Sequence, residues 1–360
     1  MMSLRPVLIM AGGTGGHVFP ALAVADELRH RGVPVVWLGT QAGIEARLVP
    51  QAGYPIEWLS IKGLRGKSLF SQLLIPVRLV IACVQALKVL RRRKPCAVLG
   101  MGGFAAGPGG FMAWLLRRPL LIHEQNAVAG LTNRLLAKLT AHRLEAFPGA
   151  LGANAEQIGN PVRQDIIAIT APEQRLRSPA VAMRVLVVGG SLGAVRLNQV
   201  IPETLAKIPP AMRPEVHHQT GESNLATARE AYRTHGVEAR VDAFIDDMAA
   251  AYAWADLVIC RAGAMTIFEL AAAGVASILI PYPHAVDDHQ TANAAYLVAQ
   301  GAALMRQQKE LSSDWLCEQL SDFSQHRERL LAMACAARAQ AKPNAARMLA
   351  DRCMSAGGLA

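Results

Sequence analysis

Short unbroken apolar runs alternate along this chain with stretches that repeat apolar residues every three or four positions. Residues 7–11, 35–38, 97–99 and 120–123, and later 184–188, 257–260 and 276–281, are runs of the first kind. Such runs mark strands buried on both faces of a parallel sheet. Segments 56–61, 141–145, 156–158, 216–219 and 239–243 read as further, shorter strands. Helical spacing appears at 19–28, opened by Pro20, at 69–90 and at 290–299. Shorter helices are expected at 45–52, closed by Gly53, at 249–254, and at 269–273, closed by Gly274. The alternation predicts an α/β protein. It breaks at 159–163 and starts again at 184, so two doubly wound domains are expected, 1–161 and 162–340. The tail from Leu311 reads as amphipathic helix and is expected to return across the first domain, with 341–360 set apart as a C-terminal tail.

Glycine-rich loops join strand to helix at 12–16, 100–110 and 189–194. Strand, glycine loop and helix together aim backbone N–H groups and the positive end of a helix dipole at an anion. The first loop is neither the GxGxxG of nicotinamide-binding folds nor a Walker loop. The chain shows no Walker lysine and no Asp-x-Asp pair, so a diphosphate held by backbone dipoles, without a metal, is the expected ligand. His17 stands at the mouth of the first helix, and Glu124 and Asn126 follow a strand, where open α/β sheets bind ligands. Alone, each has a plainer reading: His17 a structural histidine, Asn126 a turn cap, Arg163 an interdomain ion pair, Gln290 a surface residue. Glu269, read as lying at a helix start, either accepts two ribose hydroxyls or interacts with its own helix dipole.

Composition narrows the class. The 360 residues are 52% hydrophobic and 18% charged, the balance of a well-buried globular protein. The apolar stretches 69–90 and 257–283 are interrupted by Arg78 and by Arg261 and Glu269, so neither reads as a membrane span. The apolar run near the N-terminus is too short for a signal-peptide core. The six cysteines show no zinc spacing and read as reduced thiols of a cytoplasmic protein. Net charge is +10, unevenly placed: residues 1–161 carry 18 Lys+Arg against 7 Asp+Glu, the remainder 19 against 20. A basic first half calls for an anionic partner, whether nucleic acid, acidic lipid or a phosphorylated substrate. The 69–90 helix lies between a basic loop at 62–67 and Arg91, Arg92, Arg93 and Lys94, and carries Val77, Leu79, Val80, Ile81 and Val84. It can pack wholly into the core, or it can present one side to acidic lipid, with Trp114, Arg117 and Arg118 beside it.

Seven segments together resemble one family: GGTGGH at 12–17, GMGG at 100–103, HEQN at 123–126, GNPVR at 159–163, GGS at 189–191, FIDDM at 244–248 and RAGAMTIFE at 261–269. In order and spacing they are similar to the MurG family, N-acetylglucosaminyltransferases that make lipid II. The resemblance implies the GT-B glycosyltransferase fold, two facing Rossmann-like domains. It implies UDP-N-acetylglucosamine as donor and undecaprenyl-diphosphate-MurNAc-pentapeptide (lipid I) as acceptor, at the cytoplasmic face of the inner membrane. No cofactor or metal is expected and no nucleic acid; an acidic phospholipid surface and other cell-wall synthesis proteins are. Carried over residue by residue, Thr14, Gly15 and Gly16 lie by the donor sugar and diphosphate, Asn126 meets the sugar, and Arg163 and Ser191 the diphosphate side. Ile245 meets uracil through its backbone. Ala264, Met265, Thr266, Ile267 and Phe268 wrap the diphosphate, Glu269 holds the ribose and Gln290 binds sugar hydroxyls. His17 is the first candidate for the base that frees the acceptor hydroxyl, or for an orienting role there, and Glu124 is the second candidate. Leu192, Ala262 and Phe268 depart from residues common in the family. The architecture also suits a UDP-GlcNAc 2-epimerase, or a membrane-docked scaffold that binds nucleotide sugar without turning it over.

Overall fold

The computed structural model describes residues 4–60, 75–176, 181–190 and 193–359. They form two compact units, Met1–Val162 with Lys342–Ala360, and Arg163–Ala341. The basic loop at 62–67, the first part of the expected 69–90 helix, and Ser191 and Leu192 lie outside the described residues.

The N-terminal unit is built on seven parallel strands: β1 Val7–Met10, β2 Val35–Thr40, β3 Ile56–Leu59, β4 Ala97–Gly100, β5 Leu120–Glu124, β6 His142–Glu145 and β7 Glu156–Gln157, in the order β3-β2-β1-β4-β5-β6-β7. Alternate residues of one run serve opposite faces. Val7 and Ile9 pack with Trp37, Leu99 and the Gly15–His30 helix, whereas Leu8 and Met10 pack with Leu38, Val98 and the Ile75–Arg93 and Ala106–Leu115 helices. Burial on both sides is why these strands read as continuous apolar runs. The C-terminal unit repeats the plan with β8 Arg184–Val188, β9 Glu215–Gln219, β10 Arg240–Asp242, β11 Leu257–Cys260, β12 Ala276–Leu279 and β13 Ala303–Met305, ordered β10-β9-β8-β11-β12-β13. In each unit the strand order reverses once, at β1/β4 and at β8/β11, and the glycine loops leave the carboxyl ends of these strands.

Among the differences from the pattern reading, three bear on the glycine loops and the sheets. The first helix starts at Gly15, with Pro20 inside it. Burial of Val18, Ala21, Val24, Ala25 and Leu28 against the sheet overrides the poor helix propensity of two glycines and a proline. The helix expected at 269–273 runs Ala264–Ala273, so Glu269 sits in its second turn and not at its start. β13 is too short to show in the sequence pattern.

The end of the chain forms three helices, Ser313–Gln325, Arg327–Ala339 and Ala345–Ala356. The last joins the N-terminal unit. Leu349, Ala350 and Cys353 enter the core around Val7, Val24 and Leu99, and Arg352 pairs with Glu156 at 2.7 Å.

Glycines set the closest approach of helix to sheet. A Cβ on Gly109 would lie 2.3 Å from the Met10 sulfur and 2.8 Å from a Leu38 methyl carbon. Gly109→Val is expected to lower stability by about 1–3 kcal/mol through overpacking, seen as a lower urea midpoint for loss of helical circular dichroism.

Candidate functional site

In the N-terminal unit the site residues gather at the carboxyl ends of β1, β4 and β5. Thr14 is the N-cap of the Gly15–His30 helix, and its side chain does not cap it, so the first turn presents backbone N–H groups outward. Gly103, at φ +83°, sits where a Cβ would come within 2.4 Å of the Gly12 carbonyl oxygen. The first two glycine loops therefore touch backbone to backbone. A Cβ on Gly102 would fall 2.8 Å from Cε1 of His17, so the imidazole lies directly against the second loop.

A hydrogen-bonded relay orients that imidazole. His17 Nδ1 lies 2.7 Å from Gln125 Oε1, Gln125 Nε2 lies 2.9 Å from His123 Nδ1, and His123 Nε2 lies 3.0 Å from the Gly159 carbonyl oxygen. The carbonyl can only accept, so His123 carries its proton on Nε2 and accepts at Nδ1 from the Gln125 amide. Gln125 Oε1 then accepts from His17 Nδ1–H. The lone pair of neutral His17 is thereby assigned to Nε2. His123 is fully buried, and desolvation pushes its pKa down to about 4, which keeps this relay partner neutral. In the sequence His123 and Gln125 stood out only as members of the HEQN segment at a strand end, with no role assigned to either.

Glu124 turns its carboxylate into the segment that follows β5. It is 1% exposed. Its Oε1 accepts from the backbone N–H and Nδ2 of Asn126 at 2.9 and 3.3 Å, and its Oε2 from the Gly130 N–H and Asn133 Nδ2 at 3.2 and 2.9 Å. Both oxygens are committed to holding the 126–133 segment, with Asn126 half-buried at its start.

In the C-terminal unit Gly263 caps the Ala264–Ala273 helix without a side-chain bond, and the first-turn N–H groups at Ala264, Met265 and Thr266 face out of the helix end. Ile267 and Phe268 do not offer side chains there. Ile267 is buried and its N–H closes the first turn on Gly263, while the Phe268 ring is buried and stacks on Tyr296 at 5.8 Å. The expected wrap around an anion thus narrows to residues 264–266. Glu269 accepts from the Tyr252 hydroxyl at 3.1 Å. Desolvation pushes its carboxyl up to about 6, against the opposing pull of Arg163 and the Tyr252 hydrogen bond. Arg163 is exposed and 3.9 Å from Asp165. Ile245 is buried two residues before Asp247, whose carboxylate caps the Met248–Trp254 helix at Ala250 N–H, 2.8 Å. Gln290 spends Oε1 on the N–H groups of Ala262 and Tyr282, at 3.2 and 2.9 Å. That orients its Nε2 donor, the part able to meet a hydroxyl.

The N-terminal unit also carries an exposed apolar face. The Ile75–Arg93 helix buries Ala82, Ala86, Val89 and Leu90 and exposes Val77, Ile81, Val84 and, at 63%, Val80. With the Ala106–Leu115 and Leu131–Leu136 helices it lines a groove of about 720 Å³ whose walls include Leu79, Val80, Phe104, Phe111 and Leu135. Trp114, Leu115 and Leu131 are exposed nearby in sequence. Of the basic residues, Arg92 and Arg93 both bind Glu57, whereas Arg117, Arg134 and Lys138 are exposed on or just beyond the groove-lining helices.

Residues 7–143 match the glycosyltransferase family 28 N-terminal domain and residues 184–349 its C-terminal domain. A protein of Nitrosococcus oceani, a UDP-N-acetylglucosamine–N-acetylmuramyl-(pentapeptide) pyrophosphoryl-undecaprenol N-acetylglucosamine transferase, is 55% identical over 355 residues, covering 98% of this chain and 99% of its own. The protein of the same description from Alkalilimnicola ehrlichii is 56% identical over 350 residues, covering 97% and 98%. The crystal structure of Acinetobacter baumannii MurG aligns with a TM-score of 0.87 at 40% identity, over 98% of this chain and 99% of that one.

Tyr252→Phe removes the hydroxyl that stabilises the charged Glu269 carboxylate, so its pKa is expected to rise above about 6. Titration of the glutamate side-chain carboxyl by carbon-13 NMR reads this directly; an unchanged or lower value would contradict the assigned contact.

Proposed function

We infer the reaction from one premise: the chain belongs to glycosyltransferase family 28, of the GT-B fold, and within it to the MurG transferases. It transfers N-acetylglucosamine from UDP-GlcNAc to lipid I and forms lipid II in peptidoglycan synthesis. The epimerase reading, which needs no lipid-linked acceptor, is not favoured by relatives of this length and identity.

The C-terminal unit is assigned the donor. The helix end at Ala264, Met265 and Thr266 offers N–H groups and a positive dipole to the diphosphate, together with Arg163 and Ser191. Glu269 accepts from the two ribose hydroxyls, the backbone at Ile245 meets the uracil and Gln290 Nε2 donates to a sugar hydroxyl. Thr14, Gly15, Gly16 and Asn126 are assigned contacts to the donor sugar and diphosphate.

The chemistry is a single inverting displacement. The C4 hydroxyl oxygen of MurNAc bonds to C1 of α-linked GlcNAc, the bond from C1 to the diphosphate oxygen breaks, and UDP departs with that electron pair. The hydroxyl proton goes to His17 Nε2. The observation that carries this role is the relay from Gly159 through His123 and Gln125, which assigns the His17 lone pair to Nε2. Glu124, with both oxygens spent on its own loop, is read as a brace for Asn126 and not as the base. The leaving diphosphate is stabilised by preorganised dipoles.

The acceptor's polyprenyl chain places the substrate in a membrane, and among the described residues no helix is long and apolar enough to cross one. We read the exposed face of the Ile75–Arg93, Ala106–Leu115 and Leu131–Leu136 helices as a peripheral docking surface. Its apolar side chains would enter the interfacial layer, and Arg117, Arg134 and Lys138 would meet acidic headgroups. The cytoplasmic leaflet is the side assigned to it.

Incubation with UDP-GlcNAc and a lipid I analogue is expected to release UDP one-for-one with disaccharide. UDP-ManNAc as product would support the epimerase instead, and binding without product a scaffold. His17→Ala is expected to cut kcat by about 10²–10⁴-fold while UDP-GlcNAc binding, followed by calorimetry, changes little. A variant with near-normal kcat would remove His17 from the chemistry. Arg134→Gln and Lys138→Gln are each expected to weaken sedimentation with phosphatidylglycerol vesicles by about 1 kcal/mol, and Val80→Asp to weaken it with neutral vesicles too; unchanged binding in all three would move the docking surface elsewhere.

A further inference from the structure

Glu45 is a buried carboxylate that the reading above does not use. It opens the Glu45–Gln51 helix, is 0% exposed, and pairs with no cationic side chain among the described residues. It accepts three hydrogen bonds instead. Oε1 receives the Thr40 N–H at 3.0 Å and the Thr40 hydroxyl at 2.7 Å; Oε2 receives the Gly13 N–H at 2.9 Å. Three glycines wall the side chain. A Cβ on Gly12 would lie 2.5 Å from Oε1, on Gly43 1.9 Å from Oε2, and on Gly39 2.9 Å from Cγ. The socket exists because none of the three carries a side chain, and it joins the end of β2 to the first glycine loop.

The tether has a chemical consequence. Gly13, held at φ +90°, points its amide inward at a carboxylate, so that N–H is spent and is not offered to a phosphate. The groups left facing outward are those of Thr14 and the first helical turn.

We propose that Glu45 is a positioning residue for the transfer, fixing the first glycine loop through its bond to the Gly13 N–H. This rests on the transferase reading above. It acts through Gly13 and the loop leading to His17. Charge-assisted bonds to a carboxylate are strong and directional, and small misplacements of reacting groups cost rates of order 10².

The test compares Glu45→Gln, Glu45→Asp and Thr40→Val in the full chain, with UDP-GlcNAc and a lipid I analogue. In Glu45→Gln an amide NH₂ replaces one oxygen, so one tether is lost with little change in volume. The expected result is a fall in kcat of about 10–100-fold with KM for UDP-GlcNAc within about twofold. Glu45→Asp keeps the charge but is too short to reach Gly13 and Thr40 together, and is expected to lose kcat as well. Thr40→Val removes one bond and leaves Gly13 tethered, so it should stay within about threefold of wild type. The Gly13 amide resonance, shifted downfield by its carboxylate acceptor, should move upfield in Glu45→Gln and stay in place in Thr40→Val. Near-wild-type kcat in either Glu45 variant overturns the proposal. So does an equal loss in Thr40→Val that tracks its melting temperature, which would mark a purely structural role. A wild-type chain that forms no disaccharide would instead overturn the transferase reading; an active wild type with an equally active Glu45→Gln would overturn this inference alone.

Discussion

Backbone must meet backbone where β1 and β4 end, and the N-terminal half-site is arranged around that demand. Gly103 lies so near the Gly12 carbonyl that no side chain fits between them, and Gly102 leaves only the space that the His17 ring fills. Two strand ends and a helix start are thereby brought close enough for peptide N–H groups, rather than long side chains, to form much of the surface offered to a ligand. Such groups are held by secondary structure, lose no rotamer freedom when they bind, and carry the sign of the helix dipole.

Close approach concentrates polar atoms in a dry place, and each must then be satisfied. The N-terminal unit does this with buried groups that are kept neutral or shared. His123 stays uncharged through desolvation and passes its hydrogen-bond polarity to Gln125. Glu124 is divided among four N–H donors of one loop. The C-terminal unit treats Glu269 differently. One hydroxyl from Tyr252 and the field of Arg163 only partly offset its desolvation, which leaves a carboxylate whose remaining capacity suits an incoming pair of hydroxyls.

The fold was legible because burial on two faces writes itself as unbroken apolar strands, and because glycine at a strand end has few other uses. β8 and β11 were read to the residue for that reason. Helix starts were harder. Gly15 and Gly16 are poor helix formers, and only the packing of Val18, Ala21 and Val24 on the sheet makes them helical; the Ala264–Ala273 helix likewise starts earlier than its pattern suggested, which puts Glu269 in its second turn. Candidate site residues were read from their position after a strand, but the direction of their side chains was invisible. Nothing in the sequence distinguishes Glu124, turned into its own loop, from a carboxylate turned outward, or shows that the Phe268 ring faces Tyr296. Glu45 gave no signal at all, since its partners lie 5 and 32 positions away.

The Ala345–Ala356 helix has a consequence for how the protein comes into being. Leu349, Ala350 and Cys353 complete a core whose other members include Val7 and Val24, yet a ribosome makes them only after the whole of the Arg163–Ala341 unit. The unit that begins first must therefore wait with one flank of its sheet layer bare, while the unit begun second already has its own core residues in hand. Order of synthesis and order of completion are inverted, and the nascent chain carries an uncovered greasy seam until the Ala345–Ala356 helix emerges.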